Sequence, residues 1–250
     1  MRVHIADKRL IKAYRLEAAQ RPVVDCYSSG ALVNVLLTLK RNRANAQMPD
    51  EIGGGLAAAG LKPGDRVFLA ISNNRAVEHA IAVFAVFRAG GIACPINTRL
   101  SPKEITEYAA LCSPRFALTD APELLENLDL DGCWHVDTPP RNIATLPDQA
   151  SLDPNADAEI LGTSGTTGKI KGVVVSHPDL MKGVTGTNMD RSRSTLHALP
   201  FSGSGGNLGV LMLPARGGAT TYTQPKFDPA GFLELVKAKT GLRALNVRIA

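Results

Sequence analysis

This sequence predicts an α/β fold, with mixed, largely parallel sheets flanked by helices. Three observations carry that expectation. From about residue 50, short apolar runs alternate with stretches whose apolar residues recur at helical spacing. Gly, Pro, Asn and Asp punctuate the joins between them. At 250 residues and 44% hydrophobic, the chain also has ample material to bury a core.

The elements follow in order. "DEIGGGLAAAG" reads as helix and leads through the turn "KPGD" into the strand "RVFLAIS". "NRAVEHAIAVFAVFRAGG" is helical, with Ala80, Val83, Phe84 and Phe87 as a core-facing stripe, and its two closing glycines suit a C-terminal cap. After the strand "IACPIN", the helix "SPKEITEYAALC" opens with Ser101 as N-cap, Pro102 at the first helical position and Glu104 three residues after the cap. The strand "RFALT" and a helix "APELLENL" complete the unit. Residues 137–157 are rich in Pro, Asp and Asn and read as a long surface connection between two halves of one domain, or as a boundary between subdomains. Beyond it come the strands "AEILGT" and "KGVVVS", a helix from His177, the strand "TLHALP", the apolar "NLGVLMLPA", the strand "ATTYT" and the helix "DPAGFLELVKAK". The organisation expected is a divergent basic segment over 1–49, a first α/β portion over 50–136, the connection at 137–157 and a second portion over 158–250. Apart from an amphipathic stretch at 7–20, residues 1–49 fit the alternation poorly.

Composition narrows the function classes. No apolar run approaches the roughly 20 residues needed to span a bilayer. No charged-then-apolar leader with a cleavage site opens the chain, so a cytoplasmic protein is expected. Cys26, Cys94, Cys112 and Cys133 are widely separated, with no CxxC, which indicates neither a disulfide framework nor a zinc site. The net charge of +5 is localised: residues 1–43 hold nine basic against three acidic side chains. That segment reads either as an anion-facing patch or as a solvated helix face. No stacking aromatics accompany it, and no nucleic-acid partner is expected. His79 and His177 read as structural residues, and His4, His135 and His197 have no partners at metal-ligand spacing.

The least ordinary stretch is "LGTSGTTGKIKGVVVSH", residues 161–177, with five Ser or Thr and four Gly. Glycines let a backbone present its N–H groups to an anion, hydroxyls add rotatable donors, and a flanking lysine adds compact positive charge. A Walker loop needs GxxxxGK followed by Ser or Thr. Here, with Gly168-Lys169 as the GK pair, the first Gly falls on Thr163 and the hydroxyl on Ile170. The stretch also joins two strands, so a helix dipole contributes little. Two readings stay open from the residues alone: a phosphate-holding loop, or a Gly/Ser/Thr-rich hairpin connection.

"TSGTTGKIKGV" resembles the signature loop of the adenylate-forming (AMP-binding) superfamily, which includes acyl-CoA synthetases, firefly-luciferase-like enzymes and peptide-synthetase adenylation domains. Thr163, Ser164, Gly165, Thr166, Thr167, Gly168, Lys171 and Gly172 match, and Ile170 stands where Pro is usual. "LKPGDRVFLAISN", "FRAGGIACPINTRLSPKEI" and "PARGGATTYTQPKFDP" resemble acyl-CoA synthetases in the same order, so the likeness covers about 50–239. The resemblance implies the N-terminal part of an acyl-CoA synthetase (fatty-acid–CoA ligase type). Such an enzyme joins a fatty or aromatic carboxylic acid to ATP as an acyl adenylate, then to CoA as a thioester, with Mg²⁺ assisting. It assigns Thr163, Ser164, Gly165, Thr166, Thr167, Gly168 and Lys171 to the ATP phosphates. It puts Gly203, in "LPFSGSGG", beside the acyl pocket where many relatives carry His. Adenine- and ribose-binding motifs, the acidic residue for Mg²⁺ and the catalytic lysine of the C-terminal domain match no residue here. No catalytic or metal-binding residue is therefore assigned, and a chain inactive by itself is expected, from a truncated or frameshifted gene or as a specialised short protein. The alternative is a non-catalytic nucleotide-binding or interaction protein derived from this family.

Overall fold

Local turn chemistry sets the spacing of the first sheet. In "KPGD", Pro63 supplies the fixed φ of a turn's second position and Gly64 the positive φ (+86°) of its third, with Asp65 N donating to Lys62 O at 3.0 Å. In the computed structural model, residues 24–26, 43–164, 170–185, 194–207, 221–224, 226–238 and 242–244 are described.

The described elements are β1 (Val24–Cys26), α1 (Arg43–Ala58), β2 (Arg66–Ala70), α2 (Ala76–Arg88), β3 (Ile92–Pro95), α3 (Pro102–Cys112), β4 (Phe116–Thr119), β5 (Gly132–His135), β6 (Asp157–Ser164), β7 (Ile170–Ser176), α4 (His177–Thr185), β8 (Ser194–His197), β9 (Thr221–Thr223), α5 (Pro229–Ala238) and β10 (Leu242–Ala244). A six-stranded sheet runs β5-β4-β2-β3-β6-β7, parallel except for the antiparallel β6–β7 pair. A second, all-parallel sheet runs β1-β9-β8-β10. The mixed, mostly parallel sheets flanked by helices agree with the sequence.

Each helix end has its own cause. Gly91 N reaches Val86 O and Gly90 N reaches Phe87 O, with Gly90 at φ +79°, so α2 ends on the paired bonds that only a left-handed residue allows. Ser101 accepts from Glu104 N at 3.3 Å and Ser101 N donates to Glu104 Oε2 at 2.8 Å, the reciprocal cap expected for α3. Ser176 caps α4 with its hydroxyl alone, accepting from Asp179 N at 3.3 Å and donating to Asp179 Oδ2 at 2.7 Å.

The core divides across the first sheet. One side packs α1 and α2, with Leu56, Val83, Val86 and Phe87, against Val67, Leu69, Phe116 and Leu118. The other packs Ile105 and Tyr108 of α3 against Phe68, Cys94 and Ala117. Arg88 Nε donates to Asp50 Oδ1 at 2.6 Å, a nearly buried ion pair that fixes α1 to α2.

Several features depart from the sequence expectation. "APELLENL" forms only a single 3-10 turn, Pro122–Leu125, with Leu125 buried and Leu124 and Leu128 packed against the same core. Strand β5, "GCWH", is an addition to the elements that the sequence predicts; it borders the sheet, and Trp134 stacks on Phe116 with centroids 6.0 Å apart. Helix α1 begins before Pro49 rather than at Asp50. Within the segment read as divergent, Val24–Cys26 pairs in parallel with β9; the amphipathic stretch at 7–20 lies outside the described residues.

The connection 137–157 is a strap across α1. Asn142 N donates to Glu51 O at 2.8 Å, and Thr145 Oγ1 donates to Gly54 O at 2.5 Å. Gly54 and Gly55 make this approach possible, while Gly53 faces α2. A Cβ on Gly54 would overlap the Asn142 carbonyl oxygen and stand 2.9 Å from its carbon, and one on Gly55 would be 2.6 Å from Arg141 N. Three glycines are costly inside a helix, and here close backbone approach explains them.

Candidate functional site

Parallel pairing of β6 with β3 puts the C-terminal end of β6 at the carboxyl edge of the first sheet. That edge is where ligands gather in open α/β sheets. The hairpin register is closed there by Thr163 opposite Lys171 and Ser164 opposite Ile170. Both Thr163 and Lys171 are exposed. The Thr163 hydroxyl donates to Lys171 O at 3.3 Å, a long bond that a stronger acceptor can displace. The pairing confirms that two strands flank the loop. Gly165, Thr166, Thr167 and Gly168 lie outside the described residues, as does the side chain of Ser164.

Two glycines flanking the loop have packing reasons of their own. A Cβ on Gly162 would meet the Tyr108 ring at 3.3 Å, and one on Gly172 would stand 3.0 Å from Ile160 Cγ2. Tyr108 stacks on Phe68 with centroids 5.6 Å apart and donates from its hydroxyl to Ile160 O at 2.7 Å, tying α3 to β6. Beyond the hairpin, β7 borders the sheet and exposes Val173 and Val174.

One strand away from β6, a cavity of about 650 Å³ opens at the same edge. Ile71–Asn74, after β2, and Ile96–Arg99, after β3, form one side; Pro200, Ser202 and Lys226–Pro229 complete it. Its size is that of a small-molecule site, about 300–1,000 Å³. Asn73 fixes the junction, donating from Nδ2 to Leu199 O at 3.1 Å and accepting from Phe201 N at 3.1 Å. Gly203 follows in a tight turn, its N–H donating to Pro200 O at 3.2 Å. A Cβ there would meet only Pro200 O, at 3.8 Å, so the position has room for a side chain.

His79, His177 and Glu159 are buried titratable groups outside the cavity lining. His79 is fully buried, stacks on Phe201 at 5.4 Å and has no hydrogen bond at either ring nitrogen. Desolvation lowers its pKa to about 4. His177 packs edge-on against Phe87 at 5.1 Å, and burial likewise lowers it to about 4; the cap of α4 is Ser176. Glu159, on β6, accepts at Oε1 from Asn207 Nδ2, and burial pushes its carboxyl up to about 7. Cys94, Cys112 and Cys133 are free thiols.

Known proteins resemble the chain in sequence and in fold. Over 129 residues, half of this chain but 8% of the relative, it is 36% identical to pyochelin synthetase PchE of Pseudomonas aeruginosa. It is 28% identical to a feruloyl-CoA synthase of Amycolatopsis over 195 residues, 74% of this chain and 39% of the relative. The chain thus spans less than half the length of these curated relatives. Among solved structures, the fatty acyl-adenylate ligases from E. coli and L. pneumophila share the fold at a TM-score of 0.75 and 21% identity, over 95% of this chain and 46% of theirs. The model of the AMP-binding enzymes matches residues 45–240, from the first helix through the hairpin to α5, and the chain belongs to that family.

Proposed function

We propose that this chain supplies the triphosphate-binding face of an enzyme that activates a carboxylic acid with ATP and passes it to CoA. A carboxylate oxygen attacks the α-phosphorus, the bond to the bridging oxygen breaks and pyrophosphate leaves. A thiolate then attacks the acyl carbon, forming the thioester and releasing AMP. The observation that carries the reading is the hairpin ending at the carboxyl edge, one strand from the cavity.

In this reading Thr163, Ser164, Thr166 and Thr167 offer hydroxyls to the β- and γ-phosphates, Gly165 and Gly168 allow close backbone approach, and Lys171 offsets charge on departing pyrophosphate. Thr163 turns its hydroxyl from Lys171 O to a phosphate oxygen, exchanging a long neutral bond for a charge-assisted one. The acid occupies the cavity, with Gly203 leaving its acyl end open. Among the described residues no cluster of three or more His, Cys, Asp or Glu could hold a metal ion. Mg²⁺ enters this reading with ATP through the family resemblance, and no step is routed through it.

Titration calorimetry of pyrophosphate and of ATP with magnesium into the chain tests this. Binding is expected, and Lys171→Ala should weaken it by about 1–3 kcal/mol, the loss of one charge-assisted contact. Unchanged affinity would remove Lys171 and the loop from the role. Adenine- and ribose-binding motifs match no residue here, so acid-dependent pyrophosphate release by the chain alone is not expected; robust turnover would overturn that part.

A further inference from the structure

Glu159 is completely buried, although β6 otherwise carries the hairpin with apolar residues facing both cores. Its Oε1 accepts from Asn207 Nδ2, while Glu159 Oε2 and Asn207 Oδ1, both buried, have no hydrogen-bond partner. An ionised carboxylate would leave two acceptors orphaned on groups already joined, at a cost ordinary folding avoids. One proton satisfies both. We propose that Glu159 is a positioning residue that works as a neutral carboxylic acid: its Oε2–H donates to Asn207 Oδ1 while Asn207 Nδ2–H donates to its Oε1, closing a ring that clamps the phosphate-loop hairpin to the turn carrying Gly203.

The surroundings favour the neutral form. Cys94, on β3, is a buried thiol whose pKa is raised by its contact with Cys112 and by burial, so it brings no positive charge. On β7 the residue opposite Glu159 is Val175. Of the ionisable groups on α4, burial keeps His177 neutral, and Asp179 and Lys182 pair with each other at 2.9 Å on the surface. The helical turn leading to Asn207, Ser204–Gly206, has no ionisable side chain. Nothing in these elements offsets a negative charge on Glu159, and desolvation accordingly raises its pKa to about 7.

The clamp couples protonation to the site. As pH rises from the ordinary 4.5 through about 7, the folded chain must give up a proton that the unfolded chain has already lost, and the ring opens. The consequence for ligand binding rests on the function proposed above; the existence of the acid–amide ring does not.

The test uses the full chain with Glu159→Gln, which can close an amide–amide ring at any pH, and Glu159→Ala, which cannot. Infrared difference spectra on a pH step across about 7 should show the wild-type band of a protonated carboxyl disappearing, and Glu159→Gln should lack that band. In urea, the wild-type unfolding constant should rise up to about tenfold per pH unit between about 4.5 and 7, relative to Glu159→Gln. Pyrophosphate affinity should be kept in Glu159→Gln and fall severalfold in Glu159→Ala. A carboxylate already ionised at about pH 5.5, or a Gln variant as impaired as the Ala variant, overturns the proposal. If Glu159→Ala does not fold, the wild-type spectrum and the Gln variant still decide it. If the band is present but wild type binds no pyrophosphate, the clamp stands and the proposed function falls.

Discussion

Gly54→Ala sets helix propensity against packing. An Ala in a helix interior is worth about 1 kcal/mol over Gly, so propensity alone predicts a more stable protein. The strap reverses the sign. A Cβ on Gly54 would overlap the Asn142 carbonyl oxygen, 2.9 Å from its carbon and 3.0 Å from Leu146 N, and all of these are backbone atoms that no rotamer change can move. Relief requires residues 142–146 to lift, which breaks the Asn142–Glu51 and Thr145–Gly54 hydrogen bonds. Two hydrogen bonds at about 1 kcal/mol each, with overpacking of about 1–3 kcal/mol, outweigh the propensity gain and leave a net loss of roughly 2–4 kcal/mol. Urea unfolding at neutral pH measures it. Gly53→Ala, whose Cβ would stand 2.8 Å from Ala85 O and 3.1 Å from Arg88 Cβ, should instead loosen α1 from α2, with the strap's bonds to α1 left in place. A Gly54→Ala protein as stable as wild type, or more so, would refute the strap's hold on α1.

His79→Leu should blunt acid sensitivity: above pH 6.5 both states are neutral, but between 6.5 and about 4 the unfolded chain takes up a proton that the folded chain refuses, costing about 3 kcal/mol in wild type. Urea midpoints across that window should fall less steeply in the variant, and an unchanged slope would show that His79 ionises in place. Tyr108→Phe removes the bond to Ile160 O while keeping the ring on Phe68, so a loss of about 1–2 kcal/mol is expected; no loss would mean that water replaces the hydroxyl.

What could be read from the sequence was what a few neighbouring residues decide. The Ser101–Glu104 cap, the Gly90–Gly91 stop and the "KPGD" turn are local hydrogen-bond patterns, and each appears where its residues stand. The hairpin flanking residues 165–169 was legible because two apolar runs bracket a dense cluster of turn residues. Features decided by distant partners were not legible. Asn73 meets Leu199 and Phe201 across more than 120 positions, and Glu159 meets Asn207 across 48. The glycine triplet is intelligible only once the strap and α2 are seen lying against it. Strand β5 is short and half-exposed, with too little alternation to declare itself.

The side-chain amide of Asn73 does for two sheets what a strand partner does within one: it offers a donor and an acceptor side by side to a passing backbone. Stitched in this way, the side of the cavity formed by Asn73 and Pro200 has little freedom to yield. The lining at 226–229 is held differently, since Asp228 takes a bond from Gly231 and gives one to Gln224, both within its own stretch of chain. A bulkier guest would therefore be accommodated by the turn at 226–229 swinging outward, and exchanges there should retune preference for guest size without disturbing the seam.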